Sequence, residues 1–475
     1  MATVLSIDLG TSRVKVGVVD GRLRLTGSAA ATYPTARDAS GAAEQRCADW
    51  LVALARASRE ALASAGAAPD AVVLTAQMPT LVALGADGEP LGPAVTWQDG
   101  RADALVERLS EAARARVEAV SGAPLDGRYL LPMERRRVAD GEAPAARLAS
   151  AKDFVYQRLT GALATDPSTA SGFGLFDLER EDWSDELGAL WGVERGALPE
   201  VAPPTRAEAL SAWGAELLGG VRAGVPVYLG GADSVCAHHF VESLFPGAVS
   251  VVDGSSSVVL ATLAGARPPG VLVTPLVAPG ARAAEMDLLA TGASLAWLAG
   301  TLGVGAGALE GLALAHPDPD RLAVTFRPYL AGGEQGALWR GDLAGSIEGI
   351  ALTTTRADLA RALYEGIAFE TVRCLRALAP YVAPTRVVAL TSPESRSLGP
   401  ALLGAASGLE VTALGGHSPS LLGAALVALV ALGAAEGDPE APAPSALPAI
   451  GDPAAVAARA ARYLEGGPAP ARGAP

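Results

Sequence analysis

Two short polar turns, each between apolar runs, contain the first residues that could carry chemistry. In the first turn, Asp8 precedes Gly10-Thr11-Ser12, and Lys15 follows. Small residues in a tight turn can direct backbone N–H groups and hydroxyls at an anion. Asp8 could hold Mg²⁺ directly or through water, and Lys15 could add a compact positive charge. The turn predicts a phosphate site, and the alternative is an ordinary hairpin with a capping aspartate.

The same pattern recurs in the second half of the chain. Asp253 is followed by Gly254-Ser255-Ser256, again between apolar runs, about half the chain length after Asp8. Internal repetition of this kind predicts two lobes descended from one unit. Two such turns could hold a triphosphate from both sides, whereas the alternative is the chance recurrence of a common hairpin.

A third acidic residue lies shortly before the second turn. Asp233 follows an apolar strand, 225–229, that ends in Gly230-Gly231, and a helix is predicted to start beside it. A carboxylate there can accept a hydroxyl proton while that oxygen attacks a phosphoryl group. Asp233 is therefore the candidate base, and the alternative is a helix N-cap, a position that aspartate fills well.

A fourth group of residues suits a polyhydroxylated ligand. Trp97, Asp99 and Arg101 place an aromatic plane, a carboxylate and a guanidinium within five positions. Such a ligand needs stacking and charged hydrogen-bond partners. The alternative is a solvated loop, which often has this composition.

The segments around these residues predict α/β lobes, because strands alternate with helices. The predicted strands are 3–9, 14–19, 71–74, 81–84, 225–229, 249–252 and 258–263, and the predicted helices are 48–63, 101–120 and 355–378. Thr355 and Asp358 are placed to form a capping box. We predict an N-terminal lobe over 1–240 with the first turn, the sugar-side residues and the base. A C-terminal, nucleotide-side lobe follows over 241–435, and an Ala/Pro-rich, partly disordered tail over 436–475.

Composition limits the function classes. A chain of 475 residues exceeds what one core usually organises, and a net charge of −14 argues against nucleic acid as a partner. The first strand begins near Thr3, which predicts no signal peptide. The apolar run 421–435 is too short to span a bilayer. Three scattered cysteines predict free thiols in a reducing compartment, so we expect a soluble, cytoplasmic protein that does not bind membranes.

In combination, these motifs resemble the FGGY family of carbohydrate kinases over residues 3–433. Asp8 to Lys15 is similar to the first phosphate motif of that family, and Asp253 to Ser256 is similar to the second. The other matching stretches, in chain order, are Ala43-Glu44-Gln45 with Trp50, Gln77-Met78, Trp97-x-Asp99-x-Arg101, Lys152-Asp153, Leu159-Thr160-Gly161, Ala164-Thr165-Asp166 with Ala170-Ser171-Gly172, Gly231-Ala232-Asp233, Pro328-Tyr329-Leu330 with Gly333-Glu334, and Glu365-Gly366-Ile367-Ala368-Phe369.

The resemblance implies two actin-like, ribonuclease-H-like lobes, with ATP and a sugar in the cleft between them. It implies in-line transfer of the γ-phosphoryl group to a sugar hydroxyl, with Asp233 as base and Asp8 helping to place Mg²⁺. The two turns and Lys15 would hold the phosphates, through Gly10, Thr11, Ser12, Gly254, Ser255 and Ser256. The sugar would contact Gln77, Met78, Trp97, Asp99, Arg101 and Asp233. Homodimers are frequent in this family.

Two places depart from the family pattern. Where FGGY kinases usually carry a glycine triplet beside the adenosine, residues 391–397 read Thr-Ser-Pro-Glu-Ser-Arg-Ser. Side chains at Ser392 and Pro393 obstruct close approach of a nucleotide to the backbone, and Glu394 adds an anion. In addition, Pro79 follows Gln77-Met78 where xylulose kinases have a histidine.

The sequence thus predicts an ATP-dependent kinase for a small sugar, with a pentulose such as D-xylulose first and gluconate or another polyol as the alternative. A non-catalytic sugar-binding homologue with impaired ATP binding is a second alternative, which residues 391–397 favour. An actin-like or chaperone-type ATPase is a third. It would share the turns but would not need Trp97, Asp99, Arg101 and Asp233 together.

Overall fold

The computed structural model describes residues 2–265, 267, 271–391, 397–415, 418–436 and 442–467. The chain forms two compact units. The first comprises Met1–Leu244, Leu272–Arg282 and Pro419–Glu440, and the second comprises Phe245–Val271, Ala283–Ser418 and Ala441–Pro475. The domain boundaries predicted at 240 and 435 stay predictions. The compact units differ from them by assigning 272–282 and 419–440 to the first unit.

The described residues form short and long elements throughout both units. The strands are β1 Thr3–Leu9, β2 Arg13–Asp20, β3 Leu25–Thr32, β4 Ala36–Arg37, β5 Ala43–Gln45, β6 Ala71–Ala76, β7 Thr80–Leu84, β8 Ala94–Thr96, β9 Arg147–Ser150, β10 Ala164–Thr165, β11 Phe176–Asp177, β12 Asp182–Trp183, β13 Glu200–Val201, β14 Ala207–Ala209, β15 Pro226–Ala232, β16 Val249–Asp253, β17 Ser257–Thr262, β18 Leu272–Pro275, β19 Arg282–Leu288, β20 Thr325–Arg327, β21 Ser346–Glu348, β22 Arg386–Thr391 and β23 Glu410–Gly415. The helices are α1 Cys47–Ala65, α2 Asp103–Glu107, α3 Glu111–Ser121, α4 Leu130–Ala139, α5 Ala151–Thr160, α6 Pro167–Ala170, α7 Asp185–Trp191, α8 Ala212–Leu217, α9 Asp233–Leu244, α10 Gly292–Thr301, α11 Ala306–Leu314, α12 Arg356–Leu378, α13 Leu398–Ser407, α14 Pro419–Ala431 and α15 Pro453–Glu465.

The main sheet of the first unit has the strand order β14-β15-β6-β1-β2-β3. The strands β1, β2 and β3 pair antiparallel, whereas β6 runs parallel to β1 and β15 parallel to β6. All of β1 from Val4 to Leu9 is buried, as expected for a strand with covered faces. Helix α1 packs against β2 and β3, and helix α14 packs against β1 and β6.

The main sheet of the second unit repeats this arrangement. The five strands of this sheet that belong to the second unit follow the order β19-β17-β16-β22-β23, with antiparallel pairs from β19 to β16 and parallel pairs from β16 to β23. This strand order and these strand directions are the same as those of β3-β2-β1-β6-β15 in the first unit. The mixed α/β fold with two ribonuclease-H-like units is therefore confirmed, and Asp8 and Asp253 lie at corresponding positions in the first strand of each sheet.

Most predicted elements are present, with one clear correction. The long helix α12 starts with the predicted capping box, in which Thr355 and Asp358 exchange side-chain-to-backbone hydrogen bonds. The single helix predicted over 101–120 is wrong, because two helices, α2 and α3, occupy that range. Ser110 starts the second of them, since its hydroxyl accepts a hydrogen bond from the N–H of Ala113 at 3.2 Å.

Three further predictions concern single residues and the C-terminal part. Cys47, Cys236 and Cys374 are free and buried, as predicted. Helix α15 lies within the predicted tail and buries Val456 and Tyr463 in the core of the second unit, whereas residues 437–441 and 468–475 of that tail lie outside the described residues. Residues 392–396 of the adenosine-site segment also lie outside them. None of the described helices combines the length and apolar character that crossing a membrane requires.

Candidate active site

The first polar turn joins β1 to β2 in the first unit. Asp8 and Lys15 are partners in the antiparallel register, and the N–H of Gly10 closes the turn with a 3.1 Å backbone hydrogen bond. Thr11 is partly exposed and Ser12 is exposed. The turn therefore presents small polar residues at the surface of the unit, and their contact with phosphate stays a prediction.

The Asp8 carboxylate is buried beside this turn but incompletely satisfied. Its Oδ2 atom lies 3.2 Å from the ammonium of Lys15 and accepts a 2.7 Å hydrogen bond from the hydroxyl of Ser420. Its Oδ1 atom is buried without a hydrogen-bond partner among the described residues. The charge of Asp8 raises the pKa of Lys15, although burial of the amine opposes it, so Lys15 stays cationic. An unpartnered buried carboxylate oxygen is rare and is a suitable ligand for a hard cation or its water.

Asp233 is the first residue of α9 and directly follows β15. Its carboxyl is partly buried, and its Oδ1 atom accepts a 2.8 Å hydrogen bond from the N–H of Ser234. Burial and then the negative charge of Asp8 raise the pKa of Asp233 to about 7, whereas Lys15 lowers it. The first unit thus brings the predicted base, the predicted metal ligand and the predicted cation into one electrostatic environment.

The strand that precedes Asp233 ends irregularly, at a position that only glycine permits. The pairing of β15 with β6 shifts register between Tyr228 and Gly231, and the intervening Gly230 has a φ of +65°. A Cβ at Gly230 would lie 1.8 Å from the carbonyl oxygen of Leu74. Bulges of this kind change the direction of a strand, so the glycines predicted to end the strand also set where Asp233 projects.

Gln45 connects the first turn to the sugar-side residues. Its Nε2 atom donates to the carbonyl of Thr11 at 2.6 Å, and its Oε1 atom accepts hydrogen bonds from Gln77 at 3.1 Å and from Trp50 at 3.0 Å. The indole N–H of Trp97 donates to the hydroxyl of Thr11 at 3.0 Å. Gln77 and Trp97, predicted as sugar contacts, therefore lie in one network with the first polar turn.

Arg101 and Asp99 form a compact ion pair in the same unit. The Arg101 Nε atom lies 2.9 Å from both Asp99 oxygens, and its Nη2 atom donates to Asp99 and to Glu44. Asp99 is 2% exposed and also accepts from the N–H of Ala43. Burial lowers the pKa of Arg101, but Asp99 and Glu44 outweigh it and raise the pKa overall. All of these Asp99 contacts are within the protein, so the partly exposed Arg101 and Glu44 are better placed to meet a ligand.

Met78 supplies an apolar surface near these polar groups. Its side chain is partly exposed, and a Cβ at Gly172 would lie 3.1 Å from its Cγ and Sδ atoms. One side of the Met78 side chain therefore packs against Gly172. Gln77 and Met78 contribute no charged group to this part of the first unit.

Sequence reasoning missed three contributors to this site. Ser420 lies 412 positions after Asp8 and gave no signal. Gln45 and Glu44 belonged to a stretch that matched the family pattern but had no assigned role. The signal that could have found them is that match itself, because both residues lie within it.

The second polar turn joins β16 to β17 in the second unit. The hydroxyl of Ser257 donates to Asp253 at 2.6 Å and lies 2.8 Å from the hydroxyl of Thr291. The carbonyl of Ser255 accepts from the N–H of Thr291 at 3.2 Å, and a Cβ at Gly292 would lie 2.2 Å from the carbonyl of Gly254. Burial raises the pKa of Asp253 to about 6, although Ser257 lowers it. The turn is therefore held firmly by the start of α10.

A small, partly open pocket lies in the second unit and includes Thr291. Its polar lining consists of two hydroxyl residues, Thr291 and Tyr329, and two acids, Glu334 and Glu370. Glu334 accepts backbone hydrogen bonds from residues 337–339, and Glu370 accepts a 2.7 Å hydrogen bond from the hydroxyl of Tyr329. Because Thr291 contacts Ser257, the pocket adjoins the second turn. The predicted family stretch around Pro328 and Glu334 thus lines a pocket.

Comparison with known proteins identifies the class. The model for the N-terminal domain of the FGGY family of carbohydrate kinases matches residues 3–239, and the model for its C-terminal domain matches residues 249–432. The chain therefore belongs to the FGGY family of carbohydrate kinases. Members of this family are sugar kinases, which transfer phosphate from ATP to an alcohol group.

Individual relatives differ in the substrate that their names state. The glycerol kinase of Delftia acidovorans is 32% identical over 403 residues, which cover 80% of this chain and 79% of that protein. The xylulose kinase of Lactococcus lactis is 29% identical over 383 residues, covering 78% and 75%. The solved ligand-bound xylulose kinase from Lactobacillus acidophilus has a TM-score of 0.86 at 21% identity, covering 98% of this chain and 97% of that one. This last likeness concerns the fold.

Proposed function

We propose that this sugar kinase transfers the γ-phosphoryl group of ATP to a hydroxyl of a small polyhydroxylated sugar, with a pentulose such as D-xylulose as the first candidate. The observation that carries the proposal is the shared environment of Asp233, Asp8 and Lys15, in which the pKa of Asp233 rises to about 7. A base with a pKa near neutrality can be unprotonated at working pH and still be basic enough to accept a proton.

In the proposed reaction, a sugar hydroxyl oxygen attacks the γ-phosphorus and its proton passes to the Asp233 carboxylate. One P–O bond forms to the sugar oxygen, the P–O bond to the β-phosphate breaks, and ADP leaves. Gly10, Thr11, Ser12 and Lys15 on the first unit, with Gly254, Ser255 and Ser256 on the second, are the proposed phosphate contacts. Backbone amides and Lys15 matter here because the net charge of −14 offers little general attraction for ATP.

The residues near Asp8 fit a bound Mg²⁺. The described part of the chain contains no group of three or more His, Cys, Asp or Glu residues suited to a metal ion, and Mg²⁺ in kinases typically takes one or two carboxylates together with substrate phosphates. The buried, unpartnered Oδ1 atom of Asp8 is the proposed ligand. When bound there, Mg²⁺ would neutralise charge on the phosphates.

The sugar-side residues support an acceptor with several hydroxyls. Trp97 offers a partly exposed aromatic plane, and Arg101 with Glu44 offers charged hydrogen-bond partners. Gln77 and Met78 are proposed as further contacts, and Asp99 as the group that orients Arg101. The xylulose kinase relative favours a pentulose. The glycerol kinase relative makes glycerol the second candidate, and gluconate stays an alternative.

An ADP-release assay over xylulose, ribulose, gluconate, glycerol and erythritol tests the proposal. We expect the highest kcat/KM with a pentulose, and a higher value with glycerol would replace that assignment by the second candidate. No turnover with any sugar, together with no thermal shift by Mg-ATP, would support the non-catalytic alternative.

The role of the base is tested by Asp233→Asn. We expect kcat to fall by about 10²- to 10⁴-fold, the usual contribution of a general base, with sugar affinity by calorimetry nearly unchanged. Asp185→Asn is the matched control, because Asp185 is an exposed carboxylate on the same unit. Equal activity of both variants would refute the role of Asp233.

A further inference from the structure

A buried ionic cluster of Lys152, Asp153 and Asp166 lies in the first unit and has no part in the proposed chemistry. All three side chains are 2% exposed or less. The Lys152 ammonium lies 3.1 Å from Asp166 and 3.5 Å from Asp153. Charges so completely buried are costly to desolvate, and replacing them by apolar residues is often neutral for stability. Their presence therefore calls for a role other than stability alone.

Asp166 holds the short helix α6 and one hydroxyl in a defined orientation. Its Oδ2 atom accepts from the N–H of Ser168 at 2.9 Å and also from the Ser168 hydroxyl. Its Oδ1 atom accepts from the hydroxyl of Thr169 at 2.6 Å. Because the Ser168 hydroxyl donates its hydrogen bond to Asp166, its proton points at that carboxylate. The lone pairs of the Ser168 oxygen then face away from Asp166.

The Ser168 oxygen uses those lone pairs to accept a hydrogen bond from the strand that precedes the proposed base. It accepts a 3.0 Å hydrogen bond from the N–H of Ala232, the residue before Asp233. The preceding carbonyl, of Gly231, accepts a 2.8 Å hydrogen bond from the hydroxyl of Thr75. A Cβ at Gly231 would lie 3.2 Å from the Ser168 oxygen. The end of β15 therefore rests directly on Ser168.

We infer that Ser168, oriented by Asp166 and Lys152, is a positioning residue for Asp233. The cluster keeps the Ser168 hydroxyl as an acceptor toward Ala232, and this hydrogen bond fixes the backbone from which the Asp233 side chain projects. This inference rests on the proposed role of Asp233 as base. It assigns a function to the Lys152-Asp153 and Asp166 stretches, which the sequence singled out without a role.

Two hydroxyl deletions separate positioning from general stability. Ser168→Ala and Thr169→Val each remove a hydroxyl that donates to Asp166, but only the Ser168 hydroxyl contacts β15. We expect Ser168→Ala to lower kcat between about tenfold and about a hundredfold, the range for a small misplacement of a reacting group, with the KM for ATP unchanged. Thr169→Val should keep kcat within about twofold of the wild type on the same reasoning. Both are measured on the full chain, well below the unfolding temperature of each variant, with the best acceptor of the sugar panel.

Amide hydrogen exchange provides a readout that does not depend on turnover. Faster exchange at Ala232 and Asp233 is expected in Ser168→Ala and not in Thr169→Val, because only the first variant loses the acceptor of the Ala232 N–H. Equal kcat in the two variants, or unchanged exchange at Ala232 in Ser168→Ala, would overturn the inference.

The outcome for Asp233→Asn separates this inference from the proposed function. If Asp233→Asn loses turnover while Ser168→Ala and Thr169→Val behave alike, the positioning role alone is overturned. If Asp233→Asn keeps full turnover, the proposed base is overturned and the positioning role falls with it.

Discussion

At the scale of single residues, two carboxylates of the first unit have different surroundings that suit different tasks. Asp8 is buried against the ammonium of Lys15 and the hydroxyl of Ser420. Asp233 is raised in pKa by burial and by the charge of Asp8. A carboxyl group whose pKa is raised toward neutrality in this way is typical of a residue that exchanges a proton.

The raised pKa of Asp233 predicts a specific pH dependence. A protonated Asp233 cannot accept the sugar proton, so kcat/KM for the sugar should fall about tenfold for each pH unit below about pH 7. Rate measurements from pH 5 to 9 check this, and the acidic limb should be absent from the residual activity of Asp233→Asn. A wild-type profile that is flat down to pH 5 would contradict the assignment.

The same shift has a consequence for stability. The native state keeps the Asp233 proton up to about pH 7, whereas the unfolded chain releases it near pH 4. The native state therefore binds more protons between these values, and the Asp233 contribution to stability falls as the pH rises through this window. Urea unfolding at pH 5 and pH 8 should show a smaller loss in Asp233→Asn than in the wild type.

At the scale of elements, strand ends and helix contacts decide where the site residues project. The end of β15 combines the bulge at Gly230 with hydrogen bonds from Thr75 and to Ser168. Helix α14 packs closely on α9 at Gly423, where an added Cβ would lie only 1.7 Å from the carbonyl oxygen of Cys236. The same helix supplies Ser420 to Asp8.

Gly230→Ala tests the requirement for glycine in β15. The new Cβ would meet the Leu74 carbonyl at 1.8 Å and the φ is +65°, so we expect a loss of about 3 kcal/mol or more in the free energy of unfolding. Gly224→Ala is the control, because its φ is +85° but no atom lies within 4 Å of the added Cβ. It should cost only about 1–2 kcal/mol. Equal losses by urea unfolding would show that the clash is relieved.

Arg459→Ala tests the contribution of helix α15 to the second unit. Arg459 binds Glu365 through two hydrogen bonds of 2.8 and 2.7 Å, and Arg361 faces the same buried carboxylate at 2.9 Å. Removing one partner of a buried ion pair lowers the free energy of unfolding by about 3–5 kcal/mol. Because Arg361 still pairs with Glu365 in this variant, we expect a loss at the lower end of that range, about 3 kcal/mol. The exposed Arg462 on the same helix is the control, and its change to Ala should stay within about 0.5 kcal/mol. Similar unfolding midpoints for both variants would contradict an ordered role for α15.

At the scale of the whole molecule, one topology occurs twice in an acidic chain. The two main sheets share strand order and direction, and each carries an aspartate and a polar turn at its first hairpin. The net charge of −14 gives the molecule no general affinity for phosphates. We therefore expect nucleotide binding to depend on the turns and on a cation. A homodimer and a cytoplasmic location stay predictions.

Thermal shift with ATP tests this dependence. Mg-ATP at a hundred times its Kd should stabilise the wild type by about 2.7 kcal/mol, and ATP with EDTA should stabilise it less. Asp8→Asn should lose most of the difference between the two conditions, because its unpartnered Oδ1 atom is the proposed metal ligand. Asp185→Asn should behave as the wild type. An unchanged magnesium effect in Asp8→Asn would place the metal elsewhere.

The sequence by itself determined the family, the α/β class, the two polar turns and the candidate residues Asp8, Lys15 and Asp233. These features are readable because each depends on neighbours within a few positions along the chain. The division of the range 101–120 into two helices was missed, since the cap formed by Ser110 competes with a continuous apolar pattern.

Only the tertiary structure decided which polar groups satisfy one another. Ser420 reaches Asp8 across 412 positions and Ser168 reaches Ala232 across 64. It also showed that Asp99 is occupied by Arg101, which leaves Glu44 as a ligand candidate. Such pairings depend on how sheets and helices pack, and packing brings together segments whose relation no local pattern records.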